Sequence, residues 1–350
     1  MTKRWLIYGA NGYTGKLVAV AAKRQDLNPV LAGRSKDAVQ PIADSLELPY
    51  RIFPLNDPEI IAKELQDIDI VSLCAGPFSA TSEPMIKACI ASGTHYVDIT
   101  GEIDVFVKAR SYHDQAAKAG VVVCSGVGFD VIPTDCVASR LKQALPDATH
   151  LALGFDSRSG FSPGTAKTSV EGFKSGNKIR RNGEIVTVSM AHKVRDIDFG
   201  NGIKPAACIP WGDVATAYFS TGIPNIETFF PAFSSIARLK FLNAMRPIIA
   251  LPFVQGYMKR KIERTIPGPN EEQRKKHITY VWGEVVNSKG EKKTARIVVA
   301  NGYDVTVNGV LTSLHFLSTY QGQGGYYTPS LLMGNDIIES FPGSGSMTIE

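Results

Sequence analysis

Residues 5–15 read WLIYGANGYTG, a short apolar strand followed by a glycine turn and the start of a helix. Glycine is needed where the chain turns sharply and its backbone approaches a pyrophosphate, and the helix N-terminus that follows offers N–H donors and positive dipole to that anion. The order of strand, turn, helix and second strand is typical of a dinucleotide-binding turn, here spaced GxxGxxG. The predicted binding residues are Gly9, Ala10, Asn11, Gly12, Tyr13, Thr14 and Gly15.

The end of the second predicted strand, Pro29–Ala32, indicates which dinucleotide is bound. A protein that binds NAD places an acidic residue here, against the ribose 2′-hydroxyl. This chain instead has Arg34, Ser35 and Lys36, which can donate hydrogen bonds to a 2′-phosphate. The sequence therefore favours NADP as the cofactor, with NAD as the alternative.

The first 135 residues alternate short apolar runs with stretches of helical period. Strands that alternate with helices of this length indicate βαβ units and a parallel sheet. We therefore predict an α/β fold with a doubly wound Rossmann domain over residues 1–145. Further predicted strands are Ile68–Leu73, Tyr96–Ile99 and Val121–Cys124, and one helix is predicted from Val105 to Lys118.

The sequence pattern changes after about Pro146. From there the apolar segments are longer and richer in β-branched and aromatic residues, and Gly and Asn mark turns between them. Two long segments on either side of Asn287–Gly290 predict an antiparallel hairpin. A second α+β domain with a largely antiparallel sheet is therefore expected over residues 146–320. Its predicted strands include His150–Phe155, Glu184–Met190, Val214–Ser220, Ile226–Phe230, His277–Val286 and Lys293–Ala300.

Composition argues against several other classes of protein. The net charge of +5 over 350 residues is too dilute for a nucleic-acid partner. Five cysteines without a CxxC pair argue against a disulfide scaffold or a metal site, and they fit a cytoplasmic location.

The longest apolar stretch, Phe241–Tyr257, contains Arg246 and two prolines and is therefore a poor membrane span. It is followed by the basic residues Lys259, Arg260, Lys261 and Arg264. Two interpretations stay open: an interior or interface helix with a solvated basic end, or a peripheral contact with an anionic lipid surface.

Three predicted strands of the parallel sheet have their carboxyl ends at the same edge. Ligands of such sheets bind beyond this edge, so we expect the residues that follow the three strands to form one site. The first end, Cys74, Ala75, Gly76, Pro77 and Phe78, is predicted to line the cofactor. The polar groups at these ends are the candidate catalytic residues, namely Asp98, Asp130, Thr134 and, in the glycine turn, Tyr13. Asp130 has an alternative role as the N-cap of the next helix. His95 and His113 are expected to be structural or surface residues.

The motifs YGANGYTG, AGRS, CAGPF, YVDITGE and GFDVIPTD, in this order, resemble the saccharopine dehydrogenase-like oxidoreductases, and most of all their trans-acting enoyl reductase branch. Weaker likenesses follow at Ser162–Thr165, Gly268-Pro269 and Gly324–Pro329, so the resemblance spans about residues 4–335. It implies NAD(P)-dependent hydride transfer, a substrate and dimerisation domain after the Rossmann domain, and a C-terminal segment, residues 321–350, that returns to the first domain. It also implies a homodimer.

Two substrate classes remain open within this resemblance. The enoyl reductase branch implies an unsaturated acyl chain of lipid metabolism, and the saccharopine enzymes imply an imine of an amino acid. An imine that carries several carboxylates needs Arg or Lys partners, and Arg158 and Lys167 are the nearest in sequence. An apolar patch in the second domain favours an acyl chain, unless its residues form core or an interface. The patch consists of Phe229, Phe230, Phe233 and residues 241–257. A third possibility is a non-catalytic NADP sensor or scaffold.

Overall fold

A computed structural model describes residues 3–158, 160, 162–173, 176–190, 192–231, 244–245 and 248–350, with residues 167–169, 171, 173 and 263 described by their backbone alone. The chain divides into two compact units. The first comprises Met1–Ile132 and Tyr303–Met333, and the second comprises Pro133–Gly302 and Gly334–Glu350. The boundaries that we placed at residues 145 and 320 from the sequence stay predictions.

The first unit contains the predicted parallel sheet. Its strands are β1 (Trp5–Tyr8), β2 (Val30–Gly33), β3 (Tyr50–Ile52), β4 (Ile70–Leu73), β5 (His95–Asp98), β6 (Val122–Cys124) and β15 (Gly325–Tyr327). The order is β15-β6-β5-β4-β1-β2-β3, and every neighbouring pair is parallel. All residues of β1, β2 and β4 are buried, as expected for strands covered by helices on both faces. The doubly wound fold is confirmed.

Eight described helices accompany this sheet. They are α1 (Tyr13–Arg24), α2 (Lys36–Leu46), α3 (Pro58–Glu64), α4 (Phe78–Ser92), α5 (Ile103–Arg110), α6 (His113–Lys118), α12 (Gly302–Thr319) and α13 (Pro329–Met333). The single helix predicted over residues 105–118 is wrong, because the chain forms two helices there. Between them Tyr112 is buried, and its hydroxyl donates a 2.6 Å hydrogen bond to Glu83.

The second unit is built on a mixed sheet. Its strands are β7 (Ala148–Ser157), β8 (Asn177–Arg181), β9 (Glu184–Val188), β10 (Val194–Asp198), β11 (Ile203–Ile209), β12 (Asn225–Pro231), β13 (Thr279–Asn287), β14 (Lys292–Val299) and β16 (Thr348–Ile349). The main order is β10-β11-β12-β7-β13-β14-β16, with β8 paired to β12 and β9. Among the described strands β7 and β12 form the one parallel pair, so the sheet is largely antiparallel, as predicted. The predicted hairpin is confirmed as β13–β14.

The helices of the second unit include one that the sequence analysis assigned wrongly. The described helices are α7 (Ile132–Ala144), α8 (Pro163–Phe173), α9 (Asp213–Thr221), α10 (Pro252–Thr265), α11 (Glu271–Lys276) and a short 3-10 turn, Ile337–Ser340. Val214–Ser220, predicted as a strand, lies within α9, which ends at Gly222 with a φ of 69°. The strand preference of β-branched and aromatic residues depends on context, and here burial along a helix prevails. None of the helices in the described ranges is long and apolar enough to cross a bilayer.

Candidate functional site

The glycine turn between β1 and α1 is a tight backbone loop. The Gly9 N–H donates to the Ala32 carbonyl at 2.8 Å, and the Gly12 N–H donates to the Gly9 carbonyl at 2.9 Å. A Cβ atom at residue 15 would lie 2.2 Å from the Gly9 oxygen, so Gly15 is needed for the helix to pack against its own turn. A Cβ at Gly12 would lie 3.2 Å from the same oxygen, a milder contact. Gly12 is therefore the glycine whose absent side chain chiefly leaves room for a ligand.

Two helix N-termini, those of α1 and α4, lie beyond the ends of β1 and β4, and they differ in charge. Helix α4 is closed by Glu102, whose two carboxylate oxygens accept 2.9 Å hydrogen bonds from the Phe78 and Ser79 N–H groups. Helix α1 begins after Gly12, which has no side chain, and its first turn carries no acidic residue. A pyrophosphate is repelled by the carboxylate at α4 and attracted by the positive end of α1. The residues at α1 thus fit a dinucleotide.

The structure brings the first predicted strand ends together. A Cβ at Gly9 would lie 2.8 Å from the Ala75 nitrogen, so the glycine turn contacts the turn after β4. A Cβ at Gly33 would lie 3.3 Å from the Asn11 side chain, which places the end of β2 beside the same turn. Arg34, Ser35 and Lys36 are exposed there. Their assignment as cofactor-binding residues, like that of Cys74, Ala75, Gly76, Pro77 and Phe78, stays a prediction.

Asp98, one of the candidate catalytic residues, is fully buried and its carboxylate is already hydrogen-bonded. It accepts from the Thr100 N–H at 3.0 Å, from the Gly126 N–H at 2.9 Å and from the Tyr96 hydroxyl at 2.7 Å. Burial raises the pKa of this carboxyl, and these hydrogen bonds oppose the shift. The geometry suits a residue that ties the end of β5 to the turn after β6. The catalytic role of Asp98 stays a prediction.

Asp130 is in a different environment. Its side chain keeps part of its surface in solvent, and burial raises the pKa of its carboxyl to about 7. Among the described residues none forms a hydrogen bond or ion pair with this carboxyl. A Cβ at Gly101 would lie 2.7 Å from Asp130 Oδ2, so the carboxyl group lies over a glycine. Because α7 begins at Ile132, the predicted N-cap role would fall to Val131 instead.

The remaining two candidates are Tyr13 and Thr134. Tyr13 is the first residue of α1, and its ring contacts Tyr303 edge-on at a centroid distance of 5.0 Å. Thr134 lies in the first turn of α7 and is only 2% exposed. The Tyr13 side chain, by contrast, is partly exposed, so Tyr13 is the more accessible of the two.

Sequence reasoning missed the contribution of helix α12. Besides Tyr303, its Thr306 hydroxyl accepts a 3.0 Å hydrogen bond from the Phe129 N–H, next to Asp130. A Cβ at Gly128 would lie 2.9 Å from the Thr306 side chain. The start of α12 therefore contacts both the glycine turn and the loop that carries Asp130. Phe129 and Thr306 are 177 positions apart in the chain, and no local motif marks the contact.

The two histidines near this region serve the backbone of the parallel sheet. His95 Nδ1 accepts a 3.0 Å hydrogen bond from the Val122 N–H, and burial lowers the pKa of His95 to about 4. His113 Nδ1 accepts a 3.1 Å hydrogen bond from the Tyr326 N–H and so holds β15. Both imidazoles therefore serve the fold in these positions.

Several predicted residues of the second domain fall outside the description. Phe233, Arg246 and residues 241–243 lie outside the described residues, and the Lys167 side chain is not described. Phe229, by contrast, is fully buried in a cluster with Phe199 and Trp282. The structure therefore places this phenylalanine in the core of the second unit.

Comparisons of the sequence with known proteins match parts of the chain. Residues 5–124 match the family model of the saccharopine dehydrogenase NADP binding domain. A saccharopine dehydrogenase-like oxidoreductase of Homo sapiens is 27% identical over 202 residues, 50% of this chain and 47% of that protein. A trans-acting enoyl reductase of Mycobacterium ulcerans is 30% identical over 154 residues, 41% of this chain and 37% of that protein. The matched stretches thus span about half or less of these relatives.

Among solved structures, apo saccharopine dehydrogenase (L-Glu forming) from Saccharomyces cerevisiae superposes with a TM-score of 0.65. The alignment covers 99% of this chain and 100% of that one at 13% identity, so it shows a shared fold. The resemblance inferred from the motifs is confirmed by the family match and by these relatives, and the family model supports NADP as the cofactor. A preference for NADP over NAD stays a prediction. Residues 5–124 of this chain are therefore similar to the NADP binding domain of saccharopine dehydrogenase.

Proposed function

We propose that the protein is an NADPH-dependent reductase that saturates the C=C bond of an α,β-unsaturated acyl thioester. The observation that carries the proposal is that the start of α12 contacts both the glycine turn, through Tyr303, and the loop of Asp130, through Thr306, within one unit. Burial raises the pKa of the Asp130 carboxyl to about 7. Groups with pKa values moved toward neutrality by burial are typical of acid–base sites.

Reduction of an enoyl thioester adds one hydride and one proton across the double bond. NADPH, when bound, supplies the hydride. The α1 N-terminus binds the pyrophosphate, and Arg34 with its neighbours binds the 2′-phosphate. Asp130 donates the proton from its carboxyl oxygen to the substrate carbon and is left as a carboxylate. Because its side chain is partly exposed, it regains a proton from solvent.

The surroundings of Asp130 favour an acyl substrate over a dicarboxylic imine. Among the described residues no Lys or Arg forms an ion pair with Asp130. A substrate with several carboxylates would require Arg or Lys partners beside the proton donor. Aromatic residues, Tyr13 and Tyr303, lie at the glycine turn instead. The names of the mycobacterial relatives point to the same reaction class.

The test follows NADPH oxidation with a panel of enoyl thioesters of increasing chain length, with mass spectrometry of the product. The proposal expects saturated acyl thioester in proportion to NADPH consumed. Asp130→Asn should bind NADPH as the wild type does and lose turnover. Turnover confined to imines of amino acids would establish the alternative substrate class. Tight NADPH binding without turnover of either panel would indicate a sensor or scaffold and overturn the proposal. The predicted homodimer, cytoplasmic location and absence of a nucleic-acid partner stay predictions.

A further inference from the structure

Helix α10 and the residues just before it carry an exposed stripe that differs from the rest of the described surface. Nine large hydrophobic residues of the described chain are exposed, and four of them lie within ten positions. These are Ile248 at 51%, Leu251 at 40%, Phe253 at 73% and Tyr257 at 68% exposure. Scattered exposed apolar residues are ordinary, but a local cluster indicates a binding surface.

Basic residues continue the same stripe. Positions 253, 257, 260 and 264 are spaced by four, three and four residues, so they lie on one face of the helix. This outward face therefore runs from Phe253 and Tyr257 to Arg260 and Arg264, with the exposed Lys261 beside it. Arg260, Lys261 and Arg264 form no ion pair with any residue in the described part of the chain.

The opposite face of α10 is anchored in the second unit. The Gln255 side chain is buried, and it donates hydrogen bonds to the Val170 carbonyl of α8 at 3.1 Å and to the Ile249 carbonyl at 2.8 Å. Helix α10 is thus held with Gln255 inward and Phe253 outward. The exposed stripe is a fixed feature of the folded unit.

The charge around the helix is unusual for this chain. Residues 252–276 contain seven Lys and Arg against three Glu, a net charge of +4 of the +5 of the whole chain. The basic residues are therefore concentrated where the apolar residues are exposed. A surface that complements this stripe must be apolar at one end and anionic at the other.

We propose that α10 docks the protein on an anionic lipid bilayer. Aromatic rings partition to the headgroup level of a membrane, and Arg and Lys beside them reach the lipid phosphates through their apolar stems. The residues that make the contact are Ile248, Leu251, Phe253 and Tyr257 on the apolar side and Arg260, Lys261 and Arg264 on the basic side. This surface contact is independent of the proposed reductase activity.

Cosedimentation with vesicles tests the proposal. The full chain is mixed with vesicles of phosphatidylcholine alone and with vesicles that also contain phosphatidylglycerol, at low and at high salt. We expect binding to the anionic vesicles at low salt and release at high salt. The variant Arg260→Gln/Lys261→Gln/Arg264→Gln should lower the partition coefficient on the order of 100-fold, since each charge at the surface contributes about fivefold.

A matched control separates the stripe from overall charge. Lys118→Gln/Lys289→Gln/Lys293→Gln removes three exposed lysines elsewhere and changes net charge equally. It should bind vesicles as the wild type does, whereas Phe253→Ser/Tyr257→Ser should bind weakly. Circular dichroism and NADPH binding check that each variant is folded.

Equal losses in both triple variants would reduce the effect to net charge and overturn the proposal. The proposal would also be overturned if the wild type did not bind anionic vesicles at low salt. A Phe253→Ser/Tyr257→Ser variant that lost self-association but kept vesicle binding would assign the stripe to a second copy of the chain instead.

Discussion

Replacing Asp130 by Asn should stabilise the protein above neutral pH while it abolishes turnover. The carboxyl group is poorly solvated and has no hydrogen-bond or ion-pair partner among the described residues, so folding disfavours its charged form. Asn has nearly the same shape and no charge, so it removes this unfavourable interaction. It also removes the proton that the proposed reaction requires.

The magnitude follows from the difference in pKa between the folded and unfolded states. The pKa of Asp130 is about 7 in the folded protein, and that of an unfolded Asp is about 3.9. Below the lower value both states hold the proton, and the residue has no effect on stability. As pH rises toward 7, the unfolded state releases its proton first, and the free energy of unfolding falls by up to about 4 kcal/mol.

The assay is urea unfolding of the wild type and Asp130→Asn at about pH 4 and about pH 8, each with the slope of the transition checked for two-state behaviour. The variant should gain most at the higher pH and little at the lower one. Asp26→Asn, at an exposed position, is the matched control and should change stability equally at both pH values. In parallel, kcat/KM of the wild type should fall as pH rises through about 7, because the proton donor is lost.

The reasoning about Asp130 is refuted if Asp130→Asn destabilises the protein at high pH, or if its effect is the same at both pH values. Full activity in a folded Asp130→Asn variant would leave the stability argument intact and remove Asp130 from the proposed reaction.

Four further variants test the cofactor site and the neighbouring start of α4. Gly12→Ala should keep the fold and weaken NADPH binding by about tenfold or more in calorimetry, because its Cβ meets the turn mildly, at 3.2 Å, but occupies the pyrophosphate approach. Gly15→Ala, whose Cβ would lie 2.2 Å from the Gly9 oxygen, should instead lower the melting temperature. Arg34→Ala should weaken the binding of NADPH by roughly 10- to 150-fold and leave the binding of NADH unchanged. An equal loss of affinity for both cofactors would show that Arg34 does not bind the 2′-phosphate. Glu102→Ala should lower the free energy of unfolding by about 1–2 kcal/mol, as it uncaps two N–H groups of α4, with the NADPH-to-NADH preference retained.

The parallel sheet could be predicted because its signals are local. Apolar runs such as Trp5–Tyr8 end in glycine and are followed by helical spacing, which defines a βαβ unit within about thirty residues. β3 escaped prediction because Tyr50–Ile52 is a half-buried strand at the sheet edge, and three residues are too few for an alternation to be recognised. The strand predicted at Val214–Ser220 became a helix because burial outweighed local preference.

In the candidate site, too, local features could be predicted and contacts between distant parts of the chain could not. The glycine turn and Arg34 were predicted from spacing within one βαβ unit. The difference between Asp98 and Asp130 could not be predicted, because one ends a strand and the other lies in the loop after a strand. Only the folded chain shows that Asp98 is hydrogen-bonded while Asp130 is not. Tyr303 and Thr306 reach the site from the far end of the sequence, through contacts that no local pattern records.

Calorimetric titration of the full chain with NADPH and with NADH, under one buffer and salt condition, tests the central assignment most directly. That assignment is a dinucleotide held by the Gly9–Gly15 turn, with its 2′-phosphate at Arg34. It predicts saturable binding of NADPH with one site per chain, and an affinity at least tenfold above that for NADH. Equal affinities for the two cofactors, or no saturable binding of either, would contradict it.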